Sequence, residues 1–425
     1  MKGRYLLQKI RKESGERLCM IVERESGLPL YYENIYLEFI RTINKKEVNT
    51  IIRYAYALMK FKEYIDSANI NLSERMQSSA LLSFSELYSL TCFFNEKKIL
   101  KIESIKKKIK SENDNISFKL SVIEKYLVWV YSSFYSDSFI KTKNITESLS
   151  LSFKYFKPKQ VQKGYVGKVD SFKALDEEAV EDLMHITSSK NNDNPFEINN
   201  RLRNELIIKI LHETGMRSGE LLNLKIGDFY YEKKYLDIVR RYNAPEDTRS
   251  IPLCVKTEER EIPISLSLTR LIDMYINVIR PKYSMEKDNG YIFITHKSGP
   301  HRGAPMTYSA YYKIACKIKN PKVHNNTSLG SFTMHALRHT WNHEYNKKFE
   351  EASGLDKYFE LEKIRHVRMG WKIKSSTALI YNKKYIYDKA TKAFKELDDE
   401  NGNLTEVKSY ENADYRKALG LKSKR

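Results

Sequence analysis

The segment SFTMHALRHTW, residues 331–341, places a histidine and an arginine one helical turn apart. His335 and Arg338 occupy positions i and i+3, so a helix that begins after Thr333 would project both from one face. Cationic donors near the amino terminus of a helix suit a phosphate group. They do not suit a metal ion, because a guanidinium group cannot act as a ligand. The alternative interpretation is a buried pair with a structural role.

A second segment, LHETGMRSGELLNLKIGDF at residues 211–229, predicts another anion site. Gly215 ends one predicted helix and Ser218 begins the next, which leaves Arg217 at a helix amino terminus. The free N–H groups there favour an anion, and a guanidinium group adds a clamp for phosphate. The alternative is a local ion pair between Arg217 and Glu220, one turn further on.

The composition of the whole chain is consistent with an anionic partner. Its 425 residues are enough for two domains with separate cores. Lys and Arg number 74 and Asp and Glu 54, and 74 − 54 gives a formal net charge of +20. Such an excess favours DNA or RNA. The alternative is a lysine-rich composition that follows from an A·T-biased coding sequence.

The cysteines and the hydropathy of the chain indicate the cellular compartment in which it works. Four dispersed cysteines form no CxxC pair, so neither a zinc ribbon nor a disulfide framework is predicted. The sequence contains no secretory signal pattern and no run of about 18 apolar residues that would span a membrane. We therefore expect a reduced, cytoplasmic protein without a membrane partner.

The predicted organisation has five parts. Residues 1–30 read as two strand-like runs around Gly15, which form an amino-terminal hairpin. Residues 31–150 are helical, and residues 151–172 have the composition of an extended basic linker. Residues 173–400 form a second domain, and residues 401–425 form a tail.

The second domain is predicted to be mainly helical with one small sheet. Its first helix has Asp176 as the expected N-cap. Three strand-like segments follow the helix before Gly215, namely KYLDIVR, RSIPLCVKT and REIPIS. The last two are close enough to form a hairpin around Glu258 and Glu259. The expected fold class is therefore mainly α with a small antiparallel β-sheet, in two domains.

A third segment, HVRMGWKIKSSTALIYNKKYIY at residues 366–387, completes an ordered set. TGMRSGELLNLKIGD, KTEEREIPIS, HALRHTW and MGWKIKSSTALIY follow one another in one domain. Their order resembles that of the tyrosine recombinase (phage integrase) family, strongly over residues 173–390. The resemblance implies a helical core-binding domain followed by a mixed α/β catalytic domain. Each motif alone is weak, but their combination is specific.

The resemblance implies a role for each residue of the set. The nucleophile would be Tyr381, which forms a 3′-phosphotyrosyl bond with DNA and needs no metal, ATP or other cofactor. The remaining residues would act on the phosphate or its leaving group: Arg217 and Arg338 as phosphate clamps, Lys256 as general acid, and His335 and Trp371 as hydrogen-bond donors. Glu220 would orient Arg217, and His339 would be a buried structural partner.

Two features depart from the family pattern. Gly370 is followed by Trp371 where most members have histidine, a substitution that Cre-like members share. Tyr381 follows Trp371 by ten positions, one more than the usual spacing. Tyr385 and Tyr387 therefore remain alternative nucleophiles, although the TALIY segment favours Tyr381.

The resemblance also implies partners. These are double-stranded DNA, a homotetramer acting on two DNA sites, and an accessory DNA-bending protein. Integration or excision of a mobile element is the expected process. The alternatives are a type IB topoisomerase, which reseals the same strand, a catalytically inactive DNA-binding protein of the same fold, and an RNA-binding basic protein.

Overall fold

The computed structural model describes residues 3–78, 80–95, 105–157, 174–285, 288–320, 328–347 and 355–372. The chain divides into two compact units. Unit 1 consists of Met1–Val166 together with Asn243–Pro252, and unit 2 consists of Gly167–Tyr242 and Leu253–Arg425. A short piece of the chain's second half thus belongs to the first unit.

Unit 1 begins with the predicted hairpin. Strands β1 (Tyr5–Arg11) and β2 (Arg17–Glu23) pair in antiparallel register, with Tyr5 opposite Glu23 and Arg11 opposite Arg17. Tyr5 and Ile21 are buried in the core of unit 1. Apolar residues of the hairpin therefore face the helical core of unit 1, and the polar residues that alternate with them face away from it.

Six α-helices follow among the residues of unit 1 that the structure describes. They are α1 (Tyr31–Thr42), α2 (Val48–Ser67), α3 (Leu72–Gln77), α4 (Phe84–Asn95), α5 (Ile105–Phe134) and α6 (Phe139–Phe156). The apolar stripe of α2 lies in the core, where Leu58 is fully buried and Phe61 is 1% exposed. The prediction of an extended linker from residue 151 is wrong for its first six residues. They continue α6 because Phe153 is buried in the core of unit 1, and residues 158–172 lie outside the described residues.

Unit 2 contains seven α-helices and three strands among its described residues. They are α7 (Glu177–Thr187), α8 (Ile198–Thr214), α9 (Ser218–Leu221), β3 (Phe229–Tyr230), β4 (Tyr235–Ile238), β5 (Arg260–Pro263), α10 (Leu266–Met274), α11 (Tyr308–Ile318), α12 (Met334–Lys347) and α13 (Leu355–Met369). Asp176 caps α7 as predicted, since its side chain accepts a 2.8 Å hydrogen bond from the N–H of Ala179. The mainly helical fold class with small antiparallel sheets is confirmed.

The pairing of the three strands differs from the prediction. They lie in the order β3-β4-β5, and Ile238 of β4 is opposite Arg260 of β5. The predicted hairpin between residues 249–257 and β5 is wrong. Residues 243–252 belong to unit 1, and the carbonyl of Thr257 accepts a 2.6 Å hydrogen bond from Nε of Arg240 instead of a ladder partner.

The core of unit 2 forms around α8 and the small sheet. Leu206, Ile207 and Ile210 of α8, Leu236 of β4 and Ile262 of β5 are fully buried in it. α8 is buried nearly all round, which is typical of a central helix. In the described ranges, no helix is long and apolar enough to cross a membrane.

Candidate active site

The turn after α8 presents the first predicted arginine. Gly215 ends the helix with a left-handed backbone, φ +62°, which glycine adopts without steric cost. α9 then begins at Ser218, with Arg217 as its N-cap residue. The backbone N–H of Arg217 donates a 2.9 Å hydrogen bond to Oε2 of Glu220. The helix break and the position of Arg217 are therefore confirmed.

Arg217 keeps donor capacity after its local contact with Glu220. Its side chain is 30% exposed, and Nη1 lies 3.8 Å from Oε1 of Glu220. That separation is too long for a hydrogen bond, and among the described residues Nη1 of Arg217 is buried without a hydrogen-bond partner. A buried guanidinium nitrogen in this state favours an additional anionic ligand.

Glu220 has stronger partners than Arg217. Nη2 of Arg260 donates a 2.9 Å hydrogen bond to Oε2 of Glu220, and the hydroxyl of Thr257 donates to Oε1. Burial, which leaves the residue 2% exposed, would raise the pKa of Glu220. The charges of Arg260 and Arg338 and the hydrogen bonds from Arg260 and Thr257 outweigh burial and hold the pKa of Glu220 below its usual range. Glu220 is therefore an ionised anchor at neutral pH.

Arg338 connects three segments of unit 2. It lies on α12 and is 1% exposed. Its Nη1 donates a 2.7 Å hydrogen bond to the carbonyl of Gly215, and its Nη2 donates at 3.2 Å to the carbonyl of Met369. Its guanidinium carbon lies 5.6 Å from the centroid of the Trp371 ring. The structure thus brings the first and third sequence segments to the turn that carries Arg217.

The two histidines of α12 have different environments. His335 is exposed, whereas His339 is 8% exposed. Their rings meet edge to face with centroids 5.0 Å apart. His339 is thus buried as expected, and His335 is the one of the two that can reach a ligand from solvent.

Lys256 lies on a loop rather than on the paired strand that we predicted. Its side chain is exposed, while its neighbours Val255 and Thr257 are buried. The N–H of Glu258 donates a 3.2 Å hydrogen bond to the carbonyl of Gly370. The loop that carries Lys256 therefore packs against the segment after α13.

Gly370 allows this close approach. Its φ is +61°, and a Cβ added to it would lie 2.8 Å from Cβ of Thr257 and 2.7 Å from Nη1 of Arg260. The next residue, Trp371, is 6% exposed and packs with Met369 and Trp341. Glycine at this position is thus required by both backbone and space.

Tyr381 and its alternatives Tyr385 and Tyr387 lie outside the described residues, which end at residue 372. Within the described ranges, no group of three or more His, Cys, Asp or Glu residues is arranged to hold a metal ion.

Sequence reasoning missed two arginines of this region. Arg260 begins β5, and a charged residue on a short strand predicts a solvent-facing position. Arg365 of α13 is fully buried and donates to Asn346 and Glu362. Only its spacing of three residues from Glu362 gave a signal, and that spacing is equally typical of exposed helical ion pairs.

Comparison with known proteins gives consistent matches. The sequence profile of the phage integrase family matches residues 173–384. Transposase A from transposon Tn554 of Staphylococcus aureus is 29% identical over 139 residues, which cover 32% of this chain and 34% of that protein. Tyrosine recombinase XerD of Halalkalibacterium halodurans is 26% identical over 170 residues, which cover 40% of this chain and 46% of that protein. The chain thus spans less than half the length of these relatives.

One solved structure similar to this chain is that of the Tn1549 transposon integrase in complex with circular intermediate DNA. It has 15% sequence identity and a TM-score of 0.48, and the alignment covers 82% of this chain and 94% of that one.

Proposed function

Because the chain belongs to the phage integrase family of tyrosine recombinases, we propose that it is a site-specific recombinase that cleaves and rejoins duplex DNA. The reaction proceeds through a 3′-phosphotyrosyl intermediate, as expected for the family. The observation that carries the proposal is the shared anchoring of two arginines. Arg217 follows Gly215 by two residues, and Arg338 donates to the carbonyl of Gly215.

The two arginines suit the charge that develops on a phosphate in transesterification. Each guanidinium group can donate two parallel hydrogen bonds to the non-bridging oxygens. Glu220, held by Arg260, fixes the backbone of Arg217 at the required place. The pocket is therefore organised before DNA arrives, which is the condition for effective electrostatic catalysis.

The covalent step exchanges one phosphodiester for another. The phenolic oxygen of Tyr381 releases its proton to water and attacks phosphorus, and the bond from phosphorus to the 5′ oxygen breaks. Lys256 gives its proton to the departing 5′ oxygen. His335 and Trp371 complete the phosphate pocket. Rejoining is the reverse reaction with a 5′ hydroxyl of the partner strand, so the bond energy is kept and no high-energy cofactor is consumed.

The proposed partner is double-stranded DNA, bound as two sites by a tetramer, with an accessory DNA-bending protein. The net charge of +20 supports a polyanionic partner. The similarity to a transposase of transposon Tn554 supports integration or excision of a mobile element.

A covalent-capture experiment tests the proposal. Nicked duplexes from the DNA that flanks the gene are incubated with the full chain without metal, the mixture is denatured, and the adduct peptide is identified by mass spectrometry. We expect an adduct at Tyr381 that Tyr381→Phe abolishes. An adduct at Tyr385 or Tyr387 would keep the reaction and move the nucleophile.

Three other outcomes would select the alternatives. Binding of duplex DNA without any adduct would favour an inactive DNA-binding protein. Relaxation of supercoiled DNA that lacks any flanking site would favour a type IB topoisomerase. Binding of RNA in preference to duplex DNA, with no effect of Tyr381→Phe, would favour the RNA-binding alternative.

A further inference from the structure

A pocket of about 360 Å³ lies within unit 1, where side chains of α1, α2 and α5 meet. α1 and the connection from α1 to α2 supply four of its lining residues, and α2 and α5 supply one each. The lining consists of Tyr36, Ile40, Asn44, Lys46, Tyr54 and Lys125. A pocket of this volume is large enough for a small organic molecule.

Two tyrosine hydroxyls of this pocket have no hydrogen-bond partner in the protein. Tyr36 is 3% exposed and Tyr54 is 9% exposed. Among the residues that the structure describes, neither hydroxyl donates or accepts a hydrogen bond. A tyrosine hydroxyl that is nearly buried normally has a polar partner. Both hydroxyls therefore favour a polar ligand inside the pocket.

Both tyrosine rings are held in place by aromatic neighbours. The ring centroid of Tyr36 lies 5.3 Å from that of Trp129, and the ring centroid of Tyr54 lies 5.9 Å from that of Phe118. Burial and, to a smaller extent, the neighbouring Tyr54 raise the pKa of Tyr36. The hydroxyl of Tyr36 is therefore protonated at neutral pH and can donate a hydrogen bond.

The charged residues that line the pocket are both cationic. Lys46 and Lys125 have exposed side chains, and neither forms an ion pair with a carboxylate among the described residues. The neighbouring carboxylate of Glu124 is bound instead by Lys157. Two ammonium groups and two hydroxyl donors suit an oxygen-rich anion with two negative charges.

A larger pocket of unit 1, with a volume of about 560 Å³, has a different charge balance. Its lining includes Arg4 and Lys62 but also Glu33 and Asp66. Nη1 of Arg4 lies 3.3 Å from Oδ2 of Asp66, and Nζ of Lys62 lies 2.8 Å from Oδ1 of the same carboxylate. Cations of that pocket are thus balanced within the protein, whereas Lys46 and Lys125 of the smaller pocket are not.

We propose that the smaller pocket binds a phosphate monoester, with Lys46 and Lys125 balancing its charge and Tyr36 and Tyr54 donating to its oxygens. A phosphate monoester carries nearly two negative charges at neutral pH. A backbone phosphate of DNA fits less well, because it has a single charge and a sugar on each side, while the tyrosines are nearly buried.

Two sources share this chemistry, namely a free nucleotide and the phosphorylated 5′ end of a DNA strand. The inference is independent of the proposed function, since every residue that it uses lies in unit 1.

Calorimetric titration of the full chain with adenosine 5′-monophosphate tests the proposal. The chain carries Arg217→Ala, so that the candidate active site contributes less to phosphate binding. We expect a single site whose affinity for adenosine, which lacks the phosphate, is weaker by at least about tenfold. Lys46→Met and Lys125→Met should each weaken binding of the monophosphate by about fivefold or more. Lys143→Met removes an exposed charge of α6 outside the pocket lining and should change nothing.

Removal of the tyrosine hydroxyls separates binding from folding. Tyr36→Phe and Tyr54→Phe remove hydroxyls that have no partner in the protein, so we expect unchanged denaturant midpoints and binding weaker by about threefold or more. Tyr64→Phe is the matched control, because the Tyr64 hydroxyl donates a 2.6 Å hydrogen bond to the carbonyl of Glu86. It should lower the midpoint and leave the affinity unchanged.

Three results of the titrations would overturn the proposal. They are no binding of the monophosphate, equal affinity for adenosine, and unchanged affinity in the lysine and tyrosine variants of the pocket. The first result would leave the two hydroxyls to ordered water.

Two duplexes that differ only in a 5′ phosphate distinguish the two sources. Tighter binding of the phosphorylated duplex, by about threefold or more and lost in Lys46→Met, would assign the pocket to DNA ends. Equal binding of the two duplexes, together with binding of the monophosphate, would assign it to a free nucleotide. None of these measurements uses cleavage, so a chain that forms no covalent DNA adduct would reject the recombinase function and leave the pocket in place.

Discussion

Nη1 of Arg338 donates a 2.7 Å hydrogen bond to the carbonyl oxygen of Gly215, so α12 is fixed to the turn that presents Arg217. The two arginines therefore differ in what their removal disturbs. The side chain of Arg217 is 30% exposed, whereas Arg338 is 1% exposed and also donates to the carbonyl of Met369.

Replacement of each arginine by alanine should separate catalysis from folding. We expect Arg217→Ala to lower the rate of DNA cleavage by about 10²–10³, because one donor to the developing charge is lost, while the free energy of unfolding changes by less than about 1 kcal/mol. Arg338→Ala should cause a similar loss of cleavage and also destabilise the chain by about 3 kcal/mol, since two buried carbonyls lose their donor. Chemical denaturation and covalent capture measure the two effects.

Arg270→Ala on the exposed side of α10 is the matched control and should change neither quantity. Loss of folding stability in Arg217→Ala as large as in Arg338→Ala would show that Arg217 has a structural role instead.

Removal of the Glu220 charge should destabilise unit 2 in a pH-dependent way. Glu220→Gln leaves Arg260 buried without its carboxylate, and the loss of one partner of a buried pair costs about 3 kcal/mol at pH 7. The pKa of Glu220 is lowered in the folded chain, so its contribution is complete above the ordinary value of 4.5 and is lost as pH falls through the folded pKa. The variant should therefore lose less stability than the unaltered chain between neutral and acid pH.

Denaturant midpoints measured over a series of pH values from 7 to 3 test this expectation. Glu178→Gln, which changes an exposed carboxylate in the first turn of α7, is the control and should follow the unaltered chain. Parallel pH profiles for Glu220→Gln and the unaltered chain would contradict the role of the Glu220 charge.

Local patterns predicted the elements of this fold better than their pairing. The caps and breaks at Asp176 and Gly215 depend on residues close in sequence, and both are confirmed. The partner of β5 depends on where residues 243–252 are held, and Arg17 holds them from more than 200 residues away, at a separation of 232 from Arg249. The spacing of apolar and polar residues along the sequence does not predict a contact between residues so far apart.

In the candidate site, too, the residues with a local sequence signal were predicted and those that depend on long-range contacts were not. Arg217 and Arg338 were identified because a helix amino terminus and a helical spacing give them a readable context. Arg260 was not, because its importance comes from a buried carboxylate 40 residues earlier in the chain. A single charged residue on a strand edge carries no signal of its eventual burial.

Gly370 should not tolerate a side chain. In Gly370→Ala the added methyl group would lie within 3 Å of Arg260 and Thr257, and the backbone would keep φ near +61°. We expect a loss of about 1–3 kcal/mol in the free energy of unfolding, from strain of this kind, together with slower DNA cleavage because the Lys256 loop moves. Gly227→Ala is a matched control, since a Cβ there meets nothing within 4 Å. Equal stability of the two variants would show that the loop has room to shift.

Burial of His296 should make unit 2 sensitive to acid. The ring nitrogens of His296 lie 2.8 Å from the carbonyl of Asn199 and 3.1 Å from the hydroxyl of Tyr275. Burial, together with the charge of Arg203, lowers the pKa of His296 from 6.5 to about 3. His296 therefore takes up a proton near pH 6.5 in the unfolded chain but only near pH 3 in the folded chain. Its contribution to the free energy of unfolding is complete above pH 6.5 and falls towards pH 3, with a slope of up to about 1.4 kcal/mol per pH unit.

Replacement of His296 by glutamine should remove this slope while lowering stability at neutral pH by about 1–3 kcal/mol, because the shape and hydrogen bonds of the ring are lost. Denaturant unfolding between pH 7 and pH 4 measures both quantities. His185→Gln on the exposed side of α7 leaves His296 in place and should retain the slope of the unaltered chain. An unchanged slope in His296→Gln would assign the acid sensitivity to the buried carboxylates, of which Glu220 would then be the first to replace in combination.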